Sequence, residues 1–154
     1  MILVIVGTAD FQRLVKKMDE IAGEIDEEVV MQIGRTNYRP INAHYFTFID
    51  SLDNYMYEAR LIVGHGGAGT IISALMHNKK LIAVPRLKDL KEHFDDHQLE
   101  LVRELDNKHL IVGVFDLENL KEIINQSKDN TNIFVPSDSL KKYLTRYIQN
   151  LSCN

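Results

Sequence analysis

One cysteine, Cys153, no tryptophan and only three prolines stand in the 154 residues of this chain. A lone thiol can close no disulfide within the chain and supplies no cysteine-based zinc site, so neither device is expected to hold the fold, and a reducing, cytoplasmic setting fits best. Long apolar runs are also missing. Met1 to Val6 are apolar, but Gly7-Thr8-Ala9-Asp10 interrupts them and no basic stretch precedes them. That pattern is too short for a signal peptide, no run nears the roughly 18 residues that span a bilayer, and residues 1–7 read as a buried strand. A basic excess is missing too, since 18 Lys and Arg face 22 Asp and Glu, a formal charge of −4. Nucleic acid is therefore not an expected partner. What is present is an ordinary globular composition, 45% hydrophobic and 26% charged. Residues 1–154 are expected to form one domain, and two nucleotide-fold domains would not fit.

Short apolar runs near 1–7, 28–33, 44–49, 60–64, 80–85 and 109–114 alternate with segments of helical period. This rhythm predicts an α/β fold, a single Rossmann-like domain whose parallel sheet carries helices on both faces. Phe11, Leu14, Val15, Met18, Ile21, Ala22 and Ile25 recur as the stripe of one buried helix face, with Asp10 as its expected N-cap. Further helices are expected over 51–58, 69–78, 94–106 and 117–126. Leu140, Tyr143, Leu144, Tyr147, Ile148 and Leu151 place a last helix within 137–151, packing back on the core. Polar, turn-rich 127–138 reads as the connection to it.

The most informative stretch is Leu61-Ile62-Val63-Gly64-His65-Gly66-Gly67-Ala68-Gly69-Thr70, a strand entering a glycine-rich turn and then a helix, with four of the chain's eight glycines. Glycines let a ligand approach the backbone, and the first helical turn offers unpaired N–H groups and a positive dipole end, which together suit a diphosphate. A tight turn with close packing and no ligand is the plainer alternative. His65 stands inside the turn, where it either donates to a phosphate oxygen or caps a backbone carbonyl.

Gly64 to Gly69 also match G-x-G-x-x-G, the dinucleotide-binding fingerprint. That reading expects the turn after the first strand and an acidic residue at the end of the next, whereas this turn follows about the fourth strand and the next one ends in Pro85-Arg86. Arg86 could meet a 2′-phosphate, which keeps an NADP-binding oxidoreductase domain as an alternative. A second cluster, Glu92-His93-Phe94-Asp95-Asp96-His97-Gln98, sets His93 and His97 one helical turn apart. That is a metal-pair spacing without the Glu or third ligand that would complete it. The plain reading is a polar helix start with Asp95 and Asp96 near its positive end. A third reading brings the cluster to the crevice beside the glycine turn, because adjacent parallel strands lead into both.

Taken in order, Val6-Gly7-Thr8 with Phe11, Gln32-Ile33-Gly34, Phe46 to Asp50, His65-Gly66-Gly67-Ala68-Gly69-Thr70, Pro85-Arg86, and His93 to Gln98 running into Leu99-Glu100-Leu101 resemble a known family. It is the C-terminal, donor-binding domain of family 28 glycosyltransferases, the C-terminal half of a GT-B fold. The resemblance covers roughly residues 2–126 and is nearest to short stand-alone members, the soluble subunit of dolichol-linked chitobiose synthase and bacterial exopolysaccharide counterparts. It implies that Gly7, Thr8, His65, Gly66, Gly67, Ala68, Gly69 and Thr70 line the diphosphate of a UDP-sugar and that His97 and Gln98 meet the donor sugar. Where related sequences carry a ribose-binding Glu, this chain has Ser73, or with a shift of one residue Ala74; Ser73 bonds one hydroxyl but is no charged bidentate acceptor.

The resemblance further implies a metal-independent, inverting transferase with no cofactor beyond its UDP-sugar substrate, and no D-x-D pair stands in a crevice loop. The catalytic base would lie on a separate, membrane-associated acceptor-binding chain, so none is assigned here. The expected function is the donor-binding subunit of a two-component transferase, passing N-acetylglucosamine or a related hexose to a lipid-linked acceptor, with recruitment to the cytoplasmic membrane face through the partner. A stand-alone nucleotide-binding or regulatory module is the other alternative.

Overall fold

The alternation of the first strand sets the layering. Ile2, Val4 and Val6 enter one buried cluster and Leu3 and Ile5 another, as the two-residue period of a strand buried on both faces requires. The structure, a computed structural model, describes residues 1–129 and Arg146. In chain order the elements are β1 (Ile2–Ile5), α1 (Gln12–Ala22), β2 (Val29–Gln32), β3 (His44–Phe46), α2 (Asp53–Glu58), β4 (Leu61–His65), α3 (Ala68–Met76), β5 (Lys80–Val84), α4 (His97–Asn107), β6 (Val112–Gly113) and α5 (Leu120–Asp129). The helix expected within 137–151 lies outside the described residues, apart from the isolated Arg146.

All six strands pair in parallel in the order β3-β2-β1-β4-β5-β6. The chain winds outward from β1 to β3, then returns to the other side of β1 and continues to β6. Helix α1 and the α5 segment, through Phe11, Leu14, Met18, Leu120 and Ile124, cover the face of Ile2 and Val4. Helices α2, α3 and α4, through Met56, Ile71, Ala74, Val102 and Leu105, cover the face of Leu3 and Ile5. The sequence-based expectation of a Rossmann-like sheet covered on both sides therefore holds. The direction of winding reverses between β1 and β4, and in open α/β sheets the crevice outside the strand ends at that point is where ligands bind.

Asp10 does not cap α1. Phe11 occupies the cap position with no side-chain cap bond, because the backbone there is claimed by tertiary contacts: Phe11 N–H donates to the buried Thr36 Oγ1 at 3.1 Å and the Asp10 carbonyl accepts from Arg86 at 3.2 Å. The 94–106 helix also begins later, at His97. His93 therefore precedes the helix, and the one-turn spacing read for a metal pair is not formed.

Candidate functional site

Register brings the loops after β1 and β4 together. Ile5 pairs with Gly64, and Gly64 pairs in turn with Ala83 of β5. The chain leaves β1 through Gly7, whose φ of +71° is a left-handed conformation suited to glycine. A Cβ on Gly7 would lie 2.9 Å from His65 Cε1, so the imidazole sits against this loop. Gly34, at the end of β2, is also left-handed at φ +55°, and a Cβ there would come within 2.5 Å of the Gly7 carbonyl oxygen. A side chain at residue 34 would push the loop from below.

The four glycines after β4 have distinct parts. Gly64 and Gly66 are explained by packing: Cβ atoms there would reach 2.7 Å from Thr70 Cγ2 and 2.5 Å from Val102 Cγ2. Gly66 also donates its N–H to Val84, so it seats α4 against the end of β4 and has no N–H left for a ligand. This much of the turn follows the plain packing alternative. Gly67 takes the cap position of α3 with no side-chain cap bond, and a Cβ on it would collide with His65 Nε2. The first intrahelical bond runs from Ile71 N–H to the Gly67 carbonyl, so helix geometry leaves Ala68, Gly69 and Thr70 without an intrahelical acceptor for their N–H groups. Gly69 is exposed, and a Cβ there would have no neighbour within 4 Å. The open, uncapped end of α3 carries a positive dipole into the crevice at the point where winding reverses.

His65 is held from below. Its Nδ1 lies 3.3 Å from the Ile5 carbonyl oxygen and 3.3 Å from Thr70 Oγ1. Burial first, and then the nearby Arg86 charge, push its pKa down to about 4, so the ring is neutral at physiological pH. Two tautomers suit these contacts. With the proton on Nδ1 the ring donates to Ile5 and Nε2 accepts; with the proton on Nε2, Nδ1 accepts from the Thr70 hydroxyl and Nε2 becomes a donor beside Gly7 and Gly67. The first form is the carbonyl cap of the plainer reading, and the second is the form that suits an anion.

The 92–98 cluster stands beside the turn, as adjacency of β4 and β5 requires. Gly66 packs on the Gln98 backbone, the virtual Cβ lying 3.2 Å from the Gln98 carbonyl oxygen, and Gln98 Oε1 accepts from Arg86 N–H at 3.2 Å. With the oxygen held, the amide Nε2 of Gln98 has donors to offer. His97 is exposed at the first position of α4, Asp95 Oδ1 accepts from His97 N–H at 3.1 Å, and Asp95 N–H donates to His93 Nδ1 at 3.4 Å. Among the described residues no set of three His, Cys, Asp or Glu side chains is arranged to hold a metal ion. Ser73 lies one turn beyond Gly69 on α3, partly exposed, while Ala74 is buried in the core. Of the two positions weighed for ribose, Ser73 is therefore the one that reaches the surface.

Arg86 does not face a 2′-phosphate. Its side chain is buried, 4% exposed, and its guanidinium is bonded to main-chain carbonyls of the loop after β1. The NADP reading loses the residue it relied on. Sequence alone did not show Thr36 and Gly34 as supports of the loop after β1: Gly34 stood out only as part of Gln32-Ile33-Gly34, and nothing marked Thr36, which accepts from Phe11 N–H across 25 residues.

A family model described as the glycosyltransferase family 28 C-terminal domain matches residues 1–142. The chain belongs to this family. Among curated relatives, the UDP-N-acetylglucosamine transferase subunit ALG13 of Yarrowia lipolytica is 32% identical over 93 residues, covering 54% of this chain and 45% of that protein. The mouse protein of the same name is 29% identical over 117 residues, 66% of this chain but 10% of its own length. The chain thus matches about half or less of these relatives. Among solved structures, Acinetobacter baumannii MurG superposes with a TM-score of 0.65 at 16% identity over 94% of this chain and 48% of its own. A solution structure of ALG13 gives 0.55 at 16% identity over 88% of this chain and 87% of its own. At such identities the two structures speak for the fold. Among the described residues no helix of this family 28 domain is long and apolar enough to cross a membrane.

Proposed function

We propose that this family 28 domain is the donor-binding subunit of a two-component glycosyltransferase that takes a UDP-sugar, N-acetylglucosamine or a related hexose, and transfers the sugar to a lipid-linked acceptor carried by a separate membrane-associated chain. The observation that carries the reading is the uncapped N-terminus of α3, open at Gly69, facing His65 and the Gly7-Thr8 loop at the reversal point of the sheet. The name of the ALG13 relatives, UDP-N-acetylglucosamine transferase subunit, supports the nucleotide and the sugar, and the word subunit supports a partner.

When an acceptor hydroxyl attacks the anomeric carbon from the face opposite the nucleotide, the bond to the diphosphate oxygen breaks and the electron pair leaves with UDP, inverting the configuration. Negative charge grows on the diphosphate as it departs. The N–H groups of Ala68, Gly69 and Thr70 and the Nε2 proton of His65 would meet that charge without a metal ion, being preorganised by the fold. Gln98 would donate to a sugar hydroxyl, and Ser73 to one ribose hydroxyl. The base that takes the acceptor proton is assigned to the partner.

Gly69→Leu tests the site. The added side chain enters open space, so the melting temperature should hold or rise, while UDP affinity measured by calorimetry should fall at least tenfold. Unchanged affinity would remove the cradle. Thermal-shift titration of the wild-type chain should show stabilisation by UDP-N-acetylglucosamine and not by NADPH; the reverse order sinks the transferase reading. UDP binding without transfer in the presence of the partner would favour a regulatory module.

A further inference from the structure

Arg86 follows β5 and reaches beneath the loop that joins β1 to α1. Its Nε donates to the Asp10 carbonyl at 3.2 Å, and its Nη2 to those of Val6 and, at 3.4 Å, Ala9. The guanidinium also lies 5.2 Å from the centre of the Phe11 ring. Burying a guanidinium is costly unless its N–H groups are used, and here they are used on one short segment. That segment is otherwise thinly held: Thr8, Ala9 and Asp10 are exposed, and Gly7 has a left-handed backbone. An apolar side chain could pack under Phe11 equally well. It could not gather carbonyls from Val6, Ala9 and Asp10, nor set a positive charge beside the crevice.

The surroundings brace Arg86. Arg13 lies 5.4 Å from the same Phe11 ring and pairs with both oxygens of Glu92 at 2.8 and 2.9 Å. Glu92 accepts in turn from Leu87 N–H at 3.0 Å, and Arg13 donates to the Pro85 carbonyl at 3.3 Å. The backbone on either side of Arg86 is thereby fixed, and its own N–H holds the Gln98 oxygen.

We propose that Arg86 is a positioning residue for the donor diphosphate: its planar fork draws the carbonyls of the β1–α1 loop inward, holding Gly7 and Thr8 across the crevice from the α3 N-terminus, and its charge adds attraction for the phosphates. Through its main-chain N–H the same residue orients Gln98 with Nε2 toward the sugar. A lysine cannot take its place, because an ammonium on a flexible stem lacks the fork that spans separated carbonyls. The inference rests on the donor-site reading above.

The test compares wild type, Arg86→Lys and Arg86→Met in the full chain by calorimetry with UDP and UMP, by melting temperature, and by hydrogen exchange at Thr8 to Asp10. Arg86→Met should weaken UDP binding at least tenfold and UMP binding less than threefold, so the UDP preference falls. Arg86→Lys should lose about threefold to fivefold for UDP, and the loop amides should exchange faster in both variants. Equal loss for UDP and UMP, or unchanged UDP affinity with unchanged exchange, overturns the proposal; a merely structural role would lower melting temperature without moving the UDP to UMP ratio. If Arg86→Met fails to fold, Arg86→Lys decides alone by the same ratio and exchange. A wild-type chain that binds no UDP overturns the donor reading and this inference with it, and is distinguished from the other outcomes because no variant is involved.

Discussion

The His65 ring turns its Nδ1 inward to Ile5 and Thr70 and its Nε2 toward Gly7 and Gly67, so one side chain is at once a structural pin and a candidate phosphate ligand. Its pKa of about 4 lies below the ordinary 6.5, and the unfolded chain therefore takes up the proton first as pH falls. Between pH 6.5 and 4 the unfolded state binds more protons than the folded one, and stability drops with falling pH by at most about 1.4 kcal/mol per unit. Above 6.5 this contribution is fully present. Denaturant unfolding at pH 4.5 and 7 should show that difference in the wild type and a smaller one in His65→Gln, once other groups are subtracted. Gly67→Ala should act on the same ring: the new methyl displaces His65 Nε2, so UDP affinity falls several-fold while the helix start survives.

Elements are seated by contacts that sequence period does not show. Helix α4 approaches β4 only because residue 66 lacks a Cβ, and Gly66→Ala should drive a methyl into Val102 at an expected cost of about 1–3 kcal/mol. Gly66→Ala with Val102→Ala should recover part of it, measured as a shift in denaturant midpoint at constant slope. The segment between β2 and β3 is tied to α1 by Asp19, which is 1% exposed. Its carboxylate accepts from Tyr38 OH at 2.7 Å, from Asn42 N–H at 2.8 Å and from Ile41 N–H at 3.1 Å. The same bond makes the Tyr38 hydroxyl harder to ionise, raising its pKa above the usual value. Asp19→Ala strands several donors at once and should cost roughly 3 kcal/mol, with the loss read by chemical denaturation and accompanied by faster exchange at Ile41 and Asn42.

At the scale of the molecule, a single sheet supplies one crevice at one reversal point, and a transferase that brings two substrates together needs a second binding surface. Purified chain should therefore bind UDP-N-acetylglucosamine yet transfer no sugar above background, and should gain transfer on addition of the proposed membrane-associated partner, sought by copurification. Transfer by the purified chain alone at an ordinary enzymatic rate would refute the proposed partner.

Much of the fold was legible in the linear pattern because it is written in local chemistry. Apolar runs and helical stripes depend on which side chains must leave water, and they placed the six strands and the helix stripe of Leu14 to Ile21 nearly at their observed positions. The glycine-rich stretch was legible for the same reason, since a backbone that must come close to something admits no Cβ. What each glycine comes close to was not: Gly64 and Gly66 face protein while Gly69 faces open space, and only the packing of α3 and α4 decides between these. Asp10 and Arg86 show the same limit. As residues they suited a helix cap and a 2′-phosphate contact, but β1 and β5 lie on either side of β4 with their ends close enough that the buried Arg86 claims the Asp10 backbone. Local chemistry determined the elements and the glycine-rich turn, and the tertiary structure determined which of those groups were already taken, because a hydrogen bond or a close contact made between distant parts of the chain removes that group from any other role.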